Sequence, residues 1–187
     1  MVRAMMNPAN RERLRAIIAD KALIKGDGIR LASGATSSFY LDMRVVSLDA
    51  EGATLIGELM IDRLAGTDTQ AIGGLETGAI AVVAATIQAG FRRGQPIAGF
   101  YVRKKAKEHG TGKLIEGNLP KAGRVVLLED VMTSGESVIK ALDAVREAGC
   151  VVERIITVVD RQAGATETLA RHGVALESLF TRADFGV

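Results

Sequence analysis

Residues 124–137 read RVVLLEDVMTSGES. The apolar, β-branched run Val125, Val126, Leu127, Leu128 ends abruptly in two carboxylates, Glu129 and Asp130. A short loop of small and hydroxylated residues follows (Thr133, Ser134, Gly135, Ser137), and then an amphipathic stretch begins. An apolar run bounded this way predicts a buried parallel strand, a tight loop and a helix N-terminus. Backbone N–H groups at such a terminus point outward with a partial positive charge, so the loop is suited to phosphate. The two acids at the strand end are placed to accept hydrogen bonds from sugar hydroxyls. Donors for phosphate beside acceptors for ribose point to a phosphorylated sugar. Many α/β proteins carry an Asp-ended strand and a Gly/Ser turn without such a ligand, so shape alone leaves both readings open. An ATP-binding P-loop is excluded, because no G-x-x-x-x-G-K-[ST] occurs in the chain.

Outward from this segment, strands and helices alternate. Asn7-Pro8 reads as a cap and first helical position, with Leu14, Ile17 and Ile18 on one helical face. Ile29 to Val46 reads as a hairpin-like β excursion. Asp49 opens a second helix with Leu55, Ile56, Leu59, Met60 and Leu64 on one face. Ala71–Leu75 is a short strand leading into the apolar helix Gly78 to Ala89, and Pro96 to Val102 is another strand. A long polar loop runs on to about Lys121. After the central strand comes a helix with Val138, Leu142 and Val145 at helical spacing. A strand over Val151 to Val159, a helix over Gly164 to His172 and a last strand over Val174 to Leu179 complete the series. The expectation is an α/β fold: a doubly wound, mostly parallel sheet flanked by helices. Residues 1–187 would form one domain, with a small N-terminal hood over about 1–48 and a core over about 49–187.

Composition fits that architecture. Aromatic residues make up 4% of the chain and Trp is absent, so the core must come from Val, Ile, Leu and Ala. A net charge of +2, with Lys and Arg dispersed outside one cluster, gives no reason to expect nucleic acid. The single cysteine, Cys150, rules out an intrachain disulfide and reads as a buried structural thiol. His172, before Gly173, sits where a helix C-terminus would favour its charge. The longest uncharged stretch, Thr77 to Phe91, is too short to span a bilayer. No signal peptide is evident, so no membrane and a reducing, cytoplasmic location are expected.

The one charge cluster is Arg103-Lys104-Lys105-Ala106-Lys107-Glu108-His109-Gly110-Thr111-Gly112-Lys113. A solvated loop is one reading of such a run. The other is a lid: two glycines give it hinge freedom, and long loops inside compact domains often close over sites. A cationic lid facing a phosphate-binding loop suits a reaction in which a phosphorylated group leaves.

Glu-Asp-Val-x-Thr-Ser-Gly-x-Ser resembles the signature of type I phosphoribosyltransferases, which bind phosphoribosyl pyrophosphate (PRPP). Arg-Lys-x-x-Lys-x-His-Gly-x-Gly followed by Leu-Ile-Glu-Gly narrows the resemblance to the orotate phosphoribosyltransferase family. Leu31 to Arg44 is similar to that family's SGxxSxxYxDxR segment, and Val159-Asp160-Arg161-Gln162 to its arginine segment. The resemblance implies that Arg103, Lys104, Lys107 and His109 reach the pyrophosphate of PRPP, with Lys107 the main catalytic lysine. It implies that Glu129 and Asp130 hold the ribose hydroxyls, Asp130 counting among the catalytic residues. Val131, Met132, Thr133, Ser134, Gly135, Glu136 and Ser137 would cradle the 5′-phosphate, and Thr133 and Arg161 would contact orotate. Phe39 and Tyr40 could stack on the pyrimidine or simply pack the hood. The resemblance further implies a homodimer whose 103–113 loops are shared across the interface. It also implies Mg²⁺, carried mainly by PRPP rather than by a dedicated protein site.

Two positions depart from the family pattern. Ala32 stands where many members carry a lysine that contacts PRPP, and Ala163 where an acid often follows the arginine. Two rivals stand beside this reading. A purine phosphoribosyltransferase would share the PRPP loop but have no use for Arg161 as a carboxylate clamp. A non-catalytic PRPP-sensing regulator would be expected to carry a nucleic-acid-binding face or a further domain.

Overall fold

The computed structural model of the chain describes residues 6–30, 36–105 and 113–187. Helix α1 (Pro8–Ile17) starts where the sequence predicts. The Asn7 side chain accepts from the N–H groups of Ala9 and Asn10 at 3.0 and 3.4 Å. It buries Leu14 and Ile17 and runs on through a wider turn over Ile18–Ala22. Strands β1 (Leu23–Arg30) and β2 (Thr36–Leu41) pair antiparallel, Lys25 opposite Phe39 and Ile29 opposite Ser37, with an irregularity between Lys25 and Ile29. The excursion therefore begins at Leu23, six residues before Ile29, where the sequence reading started it. Gly26 and Gly28 disguise the strand as a turn, and its mostly exposed side chains show no alternation.

A short helix α2 (Arg44–Ser47) then leads into α3 (Ala50–Leu64). Asp49 caps α3, accepting from the N–H groups of Glu51 and Gly52 at 3.1 and 2.9 Å. The remaining elements are β3 (Ala71–Gly73), α4 (Gly78–Arg92), β4 (Ala98–Val102), β5 (Ile115–Gly117), β6 (Arg124–Met132), α5 (Glu136–Glu147), β7 (Val151–Asp160), α6 (Ala165–Arg171) and β8 (Ala175–Thr181), alternating as expected except at β5. Strand β5 is an addition. It is a three-residue edge strand, antiparallel to β4, inside the stretch expected to be loop.

The large sheet has the order β5-β4-β3-β6-β7-β8, and every pair except β4–β5 is parallel. From β3 the chain moves outward to β4 on one side, then returns to place β6 on the other. The crevice beyond the carboxyl ends of β3 and β6 is thus the switch point at which α/β sheets bind ligands.

Side chains of β6 alternate between two cores. Val126 and Leu128 pack with α1, α3 and α4, while Val125 and Leu127 pack with α5 and α6. Full burial of each contributes about 1.5–3 kcal/mol. A one-residue slip would send each set to the opposite face. The core thereby fixes the register that brings Glu129 and Asp130 to the switch point. Cys150 is buried, as expected, with its Sγ 3.2 Å from the Pro120 carbonyl oxygen.

Candidate active site

Three strand ends build the site, and β6 supplies the centre. Glu129 is buried and Asp130 half-buried. Burial, joined by the neighbouring Asp130 charge, raises the Glu129 pKa well above the usual carboxylate value. The two acids therefore differ in access: Glu129 is the covered one, its Oε1 accepting the Asp130 N–H at 3.3 Å, and Asp130 the open one. Oδ1 of Asp130 accepts the Val131 N–H at 2.7 Å. The strand runs two residues past the acids, and Met132 sends its side chain into the core at 1% exposure. Any contact Met132 makes with a ligand is therefore through its main chain.

Gly135 then turns the chain into α5 at a φ of 84°, a left-handed conformation that disfavours any other residue. The N-cap residue, Gly135, has no side chain to cap this helix, and the Glu136 N–H donates to Ser134 Oγ in a long bond of 3.5 Å. Thr133 and Ser134 are half-buried, and Glu136 and Ser137 are exposed. The first-turn N–H groups are thus open to an anion.

The second wall is the turn after β3. The Glu76 N–H donates to the Val102 carbonyl at 2.8 Å, and the Glu76 Oε1 accepts the Lys104 N–H at 2.8 Å. The Glu76–Thr77 peptide is cis. This turn abuts the acid pair: a Cβ at Gly78 would lie 2.5 Å from Asp130 Oδ1. It also anchors the basic segment, whose two ends are joined by the Arg103 N–H donating to the Leu114 carbonyl at 2.9 Å. Arg103 folds its Nε back onto the Lys105 carbonyl at 3.3 Å, and Lys104 and Lys105 are exposed. Lys107 and His109, like Ala32, lie outside the described residues.

The third wall joins β7 to the hood. Met132 and Asp160 are register partners, so Thr133 and Arg161 leave adjacent strands together. The Arg161 N–H donates to the Met132 carbonyl at 2.9 Å. Its side chain crosses to β2, where Nη2 donates to Ser37 Oγ at 3.0 Å and to the Phe39 carbonyl at 3.4 Å. The guanidinium carbon sits 4.6 Å from the centre of the Phe39 ring. Arg161 is only 8% exposed, and its Nε is buried without a hydrogen-bond partner. Burial, and secondarily Arg182, lowers its pKa from the ordinary arginine value.

Asp160 does not engage this guanidinium; its Oδ1 accepts the Gln162 N–H at 2.8 Å. Phe39 is buried beneath Arg161, which favours packing over stacking for that ring, while Tyr40 stays half-buried. Ala163 is exposed.

Five residues join the site that sequence reasoning gave no role. Ser37 holds Arg161. Glu76 ties the basic segment to the β3 turn. Arg44 pairs with Asp42 through two bonds of 2.7 and 3.0 Å, holding the Asp42 carboxyl below its usual range, and lies within the field of Asp130. Arg182 stands 5.8 Å from the Phe39 ring centre. Ser37, Asp42 and Arg44 carried a signal, since each falls on a named position of the SGxxSxxYxDxR segment. Among the described residues no cluster of His, Cys, Asp and Glu is arranged as a metal site, and no helix is long and apolar enough to cross a membrane.

Residues 45–174 match the phosphoribosyl transferase domain family. An orotate phosphoribosyltransferase of Bradyrhizobium diazoefficiens is 43% identical over 186 residues, covering 97% of this chain and 98% of its own length. The crystal structure of the Mycobacterium tuberculosis orotate phosphoribosyltransferase in complex with Fe(III) dicitrate superposes with a TM-score of 0.83 at 37% identity, covering 95% of this chain and 99% of that one. The complex of that enzyme with PRPP gives a TM-score of 0.80 at 34% identity, with the same coverage of 95% and 99%.

Proposed function

The chain belongs to the orotate phosphoribosyltransferase family, and from that premise we propose that it transfers the 5-phosphoribosyl group of PRPP to orotate. The products are orotidine 5′-phosphate and pyrophosphate, a step in forming pyrimidine nucleotides. The observation that carries the substrate is Arg161. It is a buried guanidinium tied to the strand that leads into the phosphate loop, with Nε unpartnered and no carboxylate of the described residues paired to it. A planar carboxylate on the base fits such a group through parallel hydrogen bonds.

In this reading the N–H groups of 133–137 hold the 5′-phosphate. Glu129 and Asp130 hold the ribose hydroxyls, Asp130 from the more open position. The C1–oxygen bond breaks with its electron pair going to pyrophosphate. The orotate nitrogen supplies the pair that forms the new bond to C1, and its proton passes to the departing pyrophosphate. Asp130 stands beside the ribose as positive charge develops there. Arg103, Lys104, Lys107 and His109 meet the negative charge on the leaving group, Lys107 foremost, and Thr133 lies against the base with Arg161. Positioning and charge stabilisation therefore carry the catalysis. Asp130 is the open carboxylate able to approach a hydrated Mg²⁺ held mainly by PRPP, and that ion would offset charge on the phosphates.

The chain works as a single unit in this reading, with a hood over about 1–48 and a core over about 49–187. It is a cytoplasmic homodimer sharing its 103–113 loops. Mixing Lys107→Ala with Asp130→Asn subunits tests the sharing: exchanged dimers should regain activity at one site. No recovery after confirmed exchange would mean each site is built within one chain. The activity itself is tested by following orotate absorbance with PRPP and Mg²⁺, beside adenine, hypoxanthine and uracil. Orotate should be consumed selectively. Preference for a purine, or no turnover of any base, would overturn the assignment.

A further inference from the structure

The base wall holds a second cation that the reaction as derived does not use. β7 and β8 run parallel with Asp160 beside Thr181 at their carboxyl ends. The residues that follow, Arg161 and Arg182, therefore leave the sheet side by side. Both approach one ring, with guanidinium carbons 4.6 and 5.8 Å from the centre of Phe39. Arg161 is buried and Arg182 exposed. The Arg182 Nε donates to a main-chain oxygen of Val187 at 2.7 Å, a bond that holds an otherwise exposed side chain near the Phe39 ring. Among the described residues, no Asp or Glu side chain pairs with either guanidinium. Like charges near one another repel, and a desolvated one is disfavoured further, so an anion that pairs with Arg161 and comes within range of Arg182 relieves both costs.

We propose that Arg182 is a specificity-determining residue of the base subsite, acting with Arg161 to select a pyrimidine that carries a carboxylate over a neutral one. The inference rests on the orotate reading and deepens it. Arg161 makes the buried, directional contact. Arg182, at the mouth, adds a longer-range attraction that a neutral base cannot use and that salt weakens. Its bond to Val187 is the competing explanation, a purely structural tie. The substitutions separate the two: lysine keeps the charge but lacks Nε, and glutamine removes the charge.

The test is steady-state kinetics on the full-length protein and its Arg182→Gln and Arg182→Lys variants. KM is measured separately for orotate and PRPP at low and high salt, with a melting curve for each protein. Arg182→Gln should raise the orotate KM about 3–5-fold at low salt, the range of an exposed charge contact, and leave the PRPP KM in place. The ratio should fall towards one at high salt, and Arg182→Lys should retain most of the wild-type orotate KM. An unmoved orotate KM in an active Arg182→Gln enzyme overturns this inference alone. So does an equal rise in both KM values, or an equal loss in the lysine and glutamine variants with lowered melting temperatures. A wild-type protein that does not consume orotate overturns the functional reading together with this one.

Discussion

The two halves of the site are built differently. The half proposed for phosphate and ribose comes from nine consecutive residues, Glu129 to Ser137, and its bonds are local: Asp130 to Val131, and Ser134 to Glu136. The base half is assembled across the chain, Arg161 reaching Ser37 over 124 positions and meeting Phe39 on the same strand. A local turn can be written into a short signature and kept while the rest of a protein changes. A wall that exists only when hood and sheet come together ties base recognition to the packing of the whole molecule. Chemistry on the ribose side should therefore fail without unfolding, whereas the base side should fail selectively and feel changes in the hood.

The largest effect is expected from the basic segment. Lys107→Ala should lower kcat by about two to three orders of magnitude, because a cation on leaving-group charge in a closed site supplies about 3–4 kcal/mol. The melting temperature should not move. A near-normal kcat would make Lys107 an ordinary surface charge and leave the two halves to carry catalysis alone. Arg161→Ala comes next. It should cost about 2–4 kcal/mol in kcat/KM for orotate, the penalty of a desolvated carboxylate without its partner. The PRPP KM should stay put, and Arg161→Lys should rescue only partly, lacking the planar fork. Equal losses for both substrates would erase the division between the halves.

Gly78→Ala sharpens the ribose side. Its Cβ would stand 2.5 Å from Asp130 Oδ1, so the carboxylate must shift. Overpacking of this kind costs about 1–3 kcal/mol, and it should raise the PRPP KM more than the orotate KM. Unchanged PRPP binding would show that the β3 and β6 turns do not act together.

The smallest effect concerns Glu129 in the free enzyme. Its folded pKa is raised, so the stability linked to its neutral form is full below the ordinary value of 4.5 and lost as pH climbs towards the folded value. Glu129→Gln lacks that loss. Melting curves of the two proteins should converge near pH 4.5 and separate above it, with the variant the more stable. Parallel curves across that range would mean Glu129 is already charged in the fold.

Against these regions the sequence was unequally informative. The β6–α5 segment was legible because its strand, acids, turn glycine and helix are contiguous, and each choice agrees with the next. The element order followed from periodicity, and the caps at Asn7 and Asn7-like Asp49 from residue type. Strand β5 escaped notice because Ile115–Gly117 is too short for a pattern and its pairing is supplied by β4. The start of β1 escaped because exposed side chains and two glycines carry no alternation. Which of Glu129 and Asp130 the core covers is a matter of tertiary burial that adjacent acids cannot reveal. The partnership of Arg161 with Ser37, and of Arg182 with the same ring, belongs to topology alone.

The stem at Arg103 and Leu114 has a consequence for how this enzyme can change. The segment between them leaves the sheet and rejoins it at neighbouring strand positions, Val102 opposite Ile115, so the architecture never depends on its length. Doubling a connection held at both ends costs only about 0.6 kcal/mol of closure entropy. Insertions, deletions or substitutions between the clamps can therefore be sampled against turnover with little debt to folding. In evolutionary terms the basic segment is an interchangeable part, and the short antiparallel strand beyond it is the fitting that makes exchange possible.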